Sequence, residues 1–225
     1  MNSILPIVAG ALRADVSSLD TIGQNVANLE TPGYRAQQAM PGFGRALHVH
    51  GVALSLANGP LLQTGGNLDL ELQGPGFFMV EANGQVMLER DGQFGRDAQG
   101  RLVDGHGYPV LTDAGALTLP DRPVRIAANG TVFDGADALG RLRIVDVAQP
   151  AALEPVGGNL FAYRGAFTAA AASVHQGALE GSNVDAAGAM VQLIALSRHA
   201  ESIQHALAAY DQAMDAGVKE IGTGS

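Results

Sequence analysis

Apolar residues recur every three or four positions near both ends of the chain, the spacing that places them on one face of an α-helix. The first stretch spans about 25 residues and the last about 35, and we predict one helix for each. In the first stretch the apolar positions are Leu5, Val8, Leu12, Leu19, Ile22 and Val26. In the last they are Leu193, Leu196, Ala200, Ile203, Leu207, Tyr210 and Met214. This spacing predicts that the terminal helices pair as a coiled-coil-like domain.

Between the predicted helices the period changes to two. Leu68, Leu70 and Leu72 alternate with polar residues, as a strand with one buried face requires. Asn83-Gly84 separates two further runs and predicts a two-residue hairpin, because both residues tolerate positive φ. Short runs separated by Gly-containing turns continue to about residue 170. We therefore predict an α+β fold, with terminal helices and a central antiparallel all-β domain.

The domain boundaries follow from the residues that stop and start helices. The first helix should end near Asn28, because Pro32 disfavours a helical conformation at Thr31 and Gly33 supplies a turn. Three good N-cap residues precede the last helix: Ser182, Asn183 and Asp185. The predicted organisation is a discontinuous helical assembly domain at 1–34 and 182–225, a connecting segment at 35–66 and a β-rich domain at 67–181.

The two predicted helices differ in length. At about 1.5 Å per residue, the last spans roughly 50 Å and the first under 40 Å. Part of the apolar seam on the last helix therefore has no partner on the first. Those residues must pack on the β-domain or on other subunits, or stay exposed.

Composition narrows the possible functions. A net charge of −9 and a pI near 5.0 argue against non-specific binding to nucleic acid or to anionic membranes. The absence of Cys excludes disulfides, thiolate catalysis and Cys-ligated metals. No segment approaches the roughly 20 apolar residues that span a bilayer, so we expect no membrane insertion. No Lys or Arg precedes the apolar run from Ile4 to Leu12, so we expect a structural helix there instead of a cleaved signal peptide.

Few polar residues are candidates for chemistry. His48 and His50 would project from one side of a strand, but no third metal ligand is visible nearby, and a solvated face is the preferred interpretation. Asp91, Asp97 and Asp104 flank turns, where Asp side chains bond the local backbone. We therefore predict no catalytic, cofactor-binding or metal site.

Several motifs, in order along nearly the whole chain, resemble those of the axial flagellar proteins: rod, hook and hook-associated subunits. The most specific is Asn25-Val26-Ala27-Asn28-Leu29-Glu30-Thr31-Pro32-Gly33-Tyr34-Arg35. The others are Leu68 to Phe78, Arg90 to Phe94, Asp97 to Val103, Gly107 to Val110 and Gln176 to Val184.

This resemblance implies a structural subunit of the bacterial flagellar basal-body rod, a part of the motility apparatus. In the family, helices from both termini form an inner tube and a β-rich domain packs outside it. The implied partners are its own copies, other rod subunits and the flagellar type III export apparatus, which delivers subunits to the periplasmic rod without a cleaved signal. The short length and the Leu179–Val184 junction are most similar to proximal-rod subunits, with distal-rod and hook-type subunits as competitors.

The resemblance also indicates which residues carry the function. The subunit interface would be the seam residues of both helices, and the family motif residues Asn25, Asn28, Thr31, Pro32, Gly33 and Tyr34 would form a hinge out of the first helix. A hypothesis of another class is a secreted glycan-active enzyme or an adhesin, with a β-domain on a helical stalk. Its enzyme version predicts an acidic pocket containing a carboxylate of raised pKa.

Overall fold

The computed structural model describes residues 4–39 and 52–222. The chain divides into two compact units. The helical unit comprises Met1–Val26, Gln37–Val52 and Asp185–Ser225, and the β unit comprises Ala27–Ala36 and Ala53–Val184. The architecture is α+β, and its strands pair in antiparallel fashion.

Two long helices, α1 (Ile4–Ala27) and α2 (Ala186–Gly222), lie at the two ends of the chain. The predicted stop near Asn28 is confirmed: the backbone N–H of Thr31 donates to the Asn28 carbonyl at 3.2 Å, which forms a turn in place of another helical turn. Among the described residues, neither helix combines the length and the apolar character needed to cross a membrane.

Short strands fill the region between the helices. The first ten are β1 (Gln37–Ala39), β2 (Val52–Leu54), β3 (Leu61–Gln63), β4 (Leu70–Gln73), β5 (Phe77–Ala82), β6 (Gln85–Glu89), β7 (Gly95–Arg96), β8 (Leu102–Val103), β9 (Leu111–Thr112) and β10 (Gly115–Ala116). The others are β11 (Arg125–Ile126), β12 (Thr131–Asp134), β13 (Asp137–Arg141), β14 (Ile144–Val147), β15 (Glu154–Gly157), β16 (Leu160–Ala162), β17 (Phe167–Ala169), β18 (Ser173–Gln176) and β19 (Ala178–Glu180). A short 3₁₀ turn, Pro150–Ala152, follows β14.

The largest sheet has six strands in the order β15-β16-β6-β5-β14-β17, and β11-β12-β13 form a three-stranded sheet. Two-stranded ladders complete the topology: β1-β2, β3-β19, β4-β18, β7-β8 and β9-β10. The predicted hairpin is confirmed. Ala82 pairs with Gln85, and the intervening Asn83 and Gly84 have φ values of 53° and 74°.

Alternate residues of the six-stranded sheet pack into two apolar clusters. Phe78 and Val80 belong to the larger cluster, whereas Phe77 and Met79 belong to the other. The larger cluster also takes in β4, where Leu70 and Leu72 are buried as predicted.

The prediction of one polar, open face for β4 was wrong at Glu71, which is also buried. Three successive residues of β4 are buried, so both faces of the strand are covered there. Periodicity alone identified the buried Leu face but not the cover over the opposite one.

The segment predicted as a connection, 35–66, contributes strands of its own. Within it, β3 pairs with β19 in the register Leu62 to Leu179. β3 is Leu61-Leu62-Gln63, a short run that does not alternate between apolar and polar residues, so periodicity does not identify it as a strand; all three residues are exposed.

Candidate assembly site

Within the β unit, the segment that follows α1 runs beside the segment that precedes α2. The N–H of Gly33 donates to the Glu180 carbonyl at 2.7 Å, and the N–H of Asn183 donates to the Tyr34 carbonyl at 3.3 Å. The Asn183 side-chain Oδ1 accepts from the N–H of Ala36 at 2.6 Å. These hydrogen bonds tie together two stretches from opposite ends of the sequence.

A buried ion cluster, Arg35–Glu180–Arg90, lies at this point and is called here the junction cluster. Arg90 Nε donates to Glu180 Oε2 at 2.5 Å, and Arg35 Nη1 lies 3.2 Å from Glu180 Oε1. The backbone N–H of Gly59 also donates to Glu180 Oε1, at 2.7 Å. All three charged side chains are almost fully buried. A buried carboxylate with this many donors is well compensated.

The Arg90 guanidinium also binds the turn at Gly74-Pro75-Gly76. It donates to the carbonyls of Leu72 and Gly74 through Nη2 at 2.5 and 2.7 Å, and to Gly76 through Nη1 at 2.5 Å. The turn therefore presents carbonyl oxygens to a buried cation. Its role in this structure is to help hold the junction cluster.

Burial lowers the pKa of Arg35 to about 10, with the Arg90 charge acting in the same direction and the Glu180 carboxylate opposing both. Arg35 is still protonated at neutral pH. The junction cluster therefore combines two cations with one anion, and the backbone carbonyls around Arg90 offset the excess positive charge.

Position 33 requires glycine for two reasons: its backbone conformation and the lack of space for a side chain. Its φ of +67° lies in the left-handed region, and an added Cβ would stand 2.4 Å from the backbone N of Asp91. The Thr31-Pro32-Gly33-Tyr34 motif thus does more than end a helix. It brings the backbone against the Arg90-Asp91 segment, and the Pro32 carbonyl accepts from Asn159 Nδ2 at 3.0 Å.

In the helical unit, α1 and α2 face each other with polar and apolar residues. His199 Nδ1 lies 3.0 Å from Asp15 Oδ1. A groove of about 600 Å³ lined by both helices includes Ser18, Asn25 and Gln192. Asn25 also holds β1, because its Nδ2 donates to the Gln37 carbonyl at 2.7 Å and its Oδ1 accepts from the Gln37 N–H at 2.8 Å.

The large apolar residues of α1 lie mostly on its exposed side. Four of them form what is called here the outward stripe, with exposed fractions of 37% for Leu12, 57% for Val16, 47% for Leu19 and 39% for Val26. The more covered positions of the helix are mainly small or polar: Ala11, Asp15, Ser18, Thr21 and Asn25, together with the apolar Ile22. Four of the six large apolar residues of α1 whose side chains are described are thus exposed, unlike those of a helix that packs only within its own chain.

The predicted interface residues occupy different environments in the single chain. Exposed positions are Leu12, Leu19, Val26 and Leu193. Half-buried positions are Val8, Leu196, Ile203, Leu207 and Tyr210, and Ile22 is buried. The side chains of Leu5 and Met214 lie outside the described set.

The family-motif residues fix the conformation of the backbone where it leaves α1. Thr31 Oγ1 donates to Asn28 Oδ1 at 3.1 Å. Tyr34 is buried, and burial raises the pKa of its hydroxyl. Asn25, Pro32 and Gly33 make the contacts given above.

Sequence reasoning missed two groups of residues. The first group lies outside the predicted seams and comprises the exposed apolar residues Val16, Met190, Val191 and Ile194. Their apolar character could have indicated a second apolar face on each helix. Arg35, Arg90 and Glu180 each lie in one of the family motifs, but nothing in the sequence indicated that the three charges would meet in one buried cluster, because charged residues are usually exposed.

The predicted roles of three Asp residues in turns are confirmed. Asp91 accepts from the N–H of Gln93, Asp97 from those of Gln99 and Arg101, and Asp104 from those of His106 and Tyr108. His48 and His50 lie outside the described residues.

One carboxylate nearby has a strongly perturbed pKa. Burial raises the pKa of Glu89 well above its ordinary value, and the charges of Asp104 and Asp91 act in the same direction. Glu89 is only 2% exposed, so a glycan cannot reach its carboxyl group. The raised pKa therefore reflects core burial and not an acid–base site.

Two family models match the chain. The flagellar hook protein FlgE/F/G D1 domain matches residues 71–133, and the flagellar basal body rod FlgEFG protein C-terminal region matches residues 175–220. The first lies in the β unit, and the second covers the approach to α2 and most of that helix.

Curated relatives match most of the chain. A flagellar basal-body rod protein FlgF of Caulobacter vibrioides is 36% identical over 207 residues, covering 82% of this chain and 84% of that protein. A FlgG of Agrobacterium fabrum is 31% identical over 236 residues, covering 86% and 90%. A FlgF of Salmonella typhimurium is 29% identical over 241 residues, covering 94% and 95%.

Flagellar rod proteins are structural proteins and not enzymes, which removes the glycan-active enzyme as an interpretation. Their place in the cell is the flagellar basal body, where they assemble with other rod and hook subunits. The aligned share of each protein, the two matching family models and the motifs held at the junction agree, so this chain belongs to the flagellar basal-body rod protein family, in which it most resembles FlgF, with FlgG close behind.

Proposed function

We propose that this chain is a proximal-rod subunit that polymerises through its terminal helices into the axial drive shaft of the flagellum. The helices would pair in coiled-coil fashion and contact copies of the chain and other rod subunits. The proposed interface consists of the seam residues of both helices, from Leu5 to Val26 and from Leu193 to Met214.

One observation carries this proposal: large apolar side chains on both helices remain in solvent in the single chain. Leu19 and Leu193 are both more than 40% exposed, as are Met190 and Ile194 outside the predicted seams. Contiguous exposed apolar residues on a folded unit favour a protein partner, because burying them removes apolar surface from water at about 25 cal/mol per Å².

The delivery route is also part of the proposal. We infer export through the flagellar type III apparatus into the periplasmic rod, without a cleaved signal. Helical Gly residues such as Gly10 and Gly23 each cost about 1 kcal/mol relative to Ala, which suits helices that become fully ordered on assembly.

The test is to place a charge in the seam of α2. We expect Ile203→Asp and Leu207→Asp each to abolish rod assembly and motility, because an Asp at either position would be desolvated in the subunit interface. Assembly is measured by electron microscopy of purified basal bodies, and motility by swimming. The fold of the purified variant is checked by near-UV circular dichroism.

Gln204→Asp is the matched control, because it places the same charge on an exposed position beside Ile203. It should leave assembly and swimming close to wild type. Normal motility in both seam variants would overturn the proposed interface. Deletion of the gene followed by imaging of basal bodies then decides proximal against distal rod by the point at which the rod stops.

A further inference from the structure

The carboxyl group of Glu89 is buried in the β unit, and the proposed rod interface does not involve it. Glu89 ends β6, directly opposite Phe78 of β5 and Leu160 of β16, so its side chain shares the sheet face that carries the larger apolar cluster. Its Oε1 atom is buried and has no hydrogen-bond partner among the described residues. A carboxylate here would hold a buried charge without compensation, which is strongly unfavourable.

The surrounding charges also disfavour an ionised Glu89. Burial raises the pKa of Glu89 well above its ordinary value, and the charges of Asp104 and Asp91 act in the same direction. Burial likewise raises the pKa of Asp91, and the charges of Asp104 and Asp69 add to the effect. A proton held at Glu89 therefore relieves repulsion within this group of carboxylates.

Two basic groups accompany these carboxylates, and both are engaged elsewhere. His106 is half exposed, its Nδ1 lies 3.3 Å from Asp104 Oδ2, and its charge opposes the rise in the pKa of Asp91. The Arg90 guanidinium is bound to Glu180 and to backbone carbonyls. Within residues 4–39 and 52–222, neither basic group forms an ion pair with Glu89.

Glu89 is connected to the Pro32-Gly33 turn by two structural routes. Along the chain, it is followed by the Arg90-Asp91 peptide, which packs so closely on Gly33 that no Cβ fits between them. Across the sheet, the β16 residue opposite Glu89 follows Asn159, whose Nδ2 donates to the Pro32 carbonyl at 3.0 Å. A displacement of the backbone at Glu89 would therefore disturb both of these contacts with the turn.

We propose that Glu89 keeps its proton at neutral pH and that opening of the Pro32-Gly33 turn is coupled to release of this proton. While the turn is closed, the side chain stays beside Phe78 as a neutral acid. When the turn opens, Glu89 reaches water and ionises. The β unit thus carries a pH-sensitive lock at the family motif, which is closed most firmly at low pH and loosens as pH rises. The lock is a property of the single chain and does not depend on the proposed rod assembly.

The proton on Glu89 is detected by the carbon chemical shift of its side-chain carboxyl group, followed by NMR against pH in the full-length chain. We expect this group to remain protonated at neutral pH, although an ordinary glutamate titrates near 4.5. Asp104→Asn should move the midpoint to lower pH, because it removes a like charge while the amide oxygen can still accept from the N–H groups of His106 and Tyr108. A wild-type midpoint near 4.5 would overturn the proposal.

Opening of the turn is measured by hydrogen exchange at the Gly33 N–H, which donates to the Glu180 carbonyl at 2.7 Å in the closed form. Between the ordinary glutamate value and the Glu89 midpoint, the closed form holds a proton that the open form has lost. The protection factor of Gly33 should therefore fall about tenfold per pH unit in this range. The Gly130 N–H donates to the Ala127 carbonyl at 2.8 Å in the turn between β11 and β12, and its protection should show no such slope.

Two matched substitutions show whether the slope belongs to Glu89. Glu89→Gln keeps the side chain neutral at every pH and should abolish the slope at Gly33. Glu81→Gln makes the same change at an exposed position of the neighbouring strand β5 and should leave the slope intact. A slope that persists in Glu89→Gln would overturn the lock. So would equal protection of Gly33 and the core amide of Leu102, because the turn would then open only when the whole β unit unfolds.

Discussion

The β unit and the helical unit differ in how far their apolar side chains are buried. In the β unit, Phe78 and Val80 are fully buried, and even the charged junction cluster is enclosed and hydrogen-bonded. In the helical unit, Val16 on α1 and Val191 on α2 are more than half exposed, while the groove between the helices is lined by polar side chains together with Ile22 and Leu196.

This difference separates a fold that is complete in one chain from one that is not. A closed apolar core stabilises the β unit without any partner. The helical unit leaves apolar surface in water and gains little from its polar contacts, because exposed ion pairs contribute at most about 1 kcal/mol. We expect mutations to affect single-chain stability in the first unit and assembly in the second.

The largest effect should come from the junction cluster. Glu180→Ala leaves Arg35 and Arg90 buried without their carboxylate, so we expect the β unit to lose about 3–5 kcal/mol of unfolding free energy. Urea denaturation followed by far-UV circular dichroism measures the loss. The matched control is Asp134→Ala, whose partner Arg122 is 68% exposed, and it should cost under about 1 kcal/mol. Equal effects would mean that the cluster does not stabilise the unit.

The same Leu→Ala change in the two units tests the comparison most directly. Leu72→Ala removes a buried side chain and should cost about 2–5 kcal/mol. Leu19→Ala removes one that is nearly half exposed and should change single-chain stability by less than about 0.5 kcal/mol. Rod assembly, in contrast, should be clearly reduced by Leu19→Ala, although the stability of the single chain hardly changes. A large stability loss in Leu19→Ala would show that α1 is held within its own chain.

Gly33 tests how closely the junction is packed. In Gly33→Ala, the new Cβ would sit on a residue with a left-handed φ and would lie 2.4 Å from the backbone nitrogen of Asp91. We therefore expect the free energy of unfolding to fall by more than about 2 kcal/mol. Gly84→Ala has a similar φ of +74° but open space around it, and should cost only about 1 kcal/mol. Thermal unfolding of the two variants gives the difference. If both cost the same, the contact with Asp91 relaxes without strain.

The smallest effect is a pH dependence within the β core. The pKa of Glu89 is raised in the folded state, so its contribution to stability is complete below the ordinary value near 4.5 and is lost as pH rises through the folded value. Glu89→Gln should therefore be more stable than wild type at pH 7.5, and this advantage should shrink towards pH 4.5. Urea midpoints at the two pH values check the sign. An unchanged difference would mean that Glu89 is not the titrating group.

Short-range patterns in the sequence predicted the elements well. The positive-φ tolerance of Asn83-Gly84 identified a hairpin, and Pro32 with Gly33 identified the end of α1, because each depends on backbone sterics that act within a few residues. The spacing of Leu70 and Leu72 identified a buried strand face for the same local reason.

Long-range pairing could not be predicted in this way. Arg35, Arg90 and Glu180 are far apart in sequence, and a charged residue carries no mark that it will be buried. The exposed strand β3 had no apolar period, and the outward direction of Leu12 and Leu19 depends on which side of α1 meets α2.

The sequence by itself determined the helices at both ends, the antiparallel β region between them, and the motifs that indicate the axial flagellar family. Only the tertiary structure decided that Arg35, Arg90 and Glu180, from three of those motifs, meet in one buried ion cluster, and that most of the large apolar residues of α1 are exposed. Local conformation depends on neighbours along the chain, whereas burial of a charge or exposure of a leucine depends on distant residues that packing brings together.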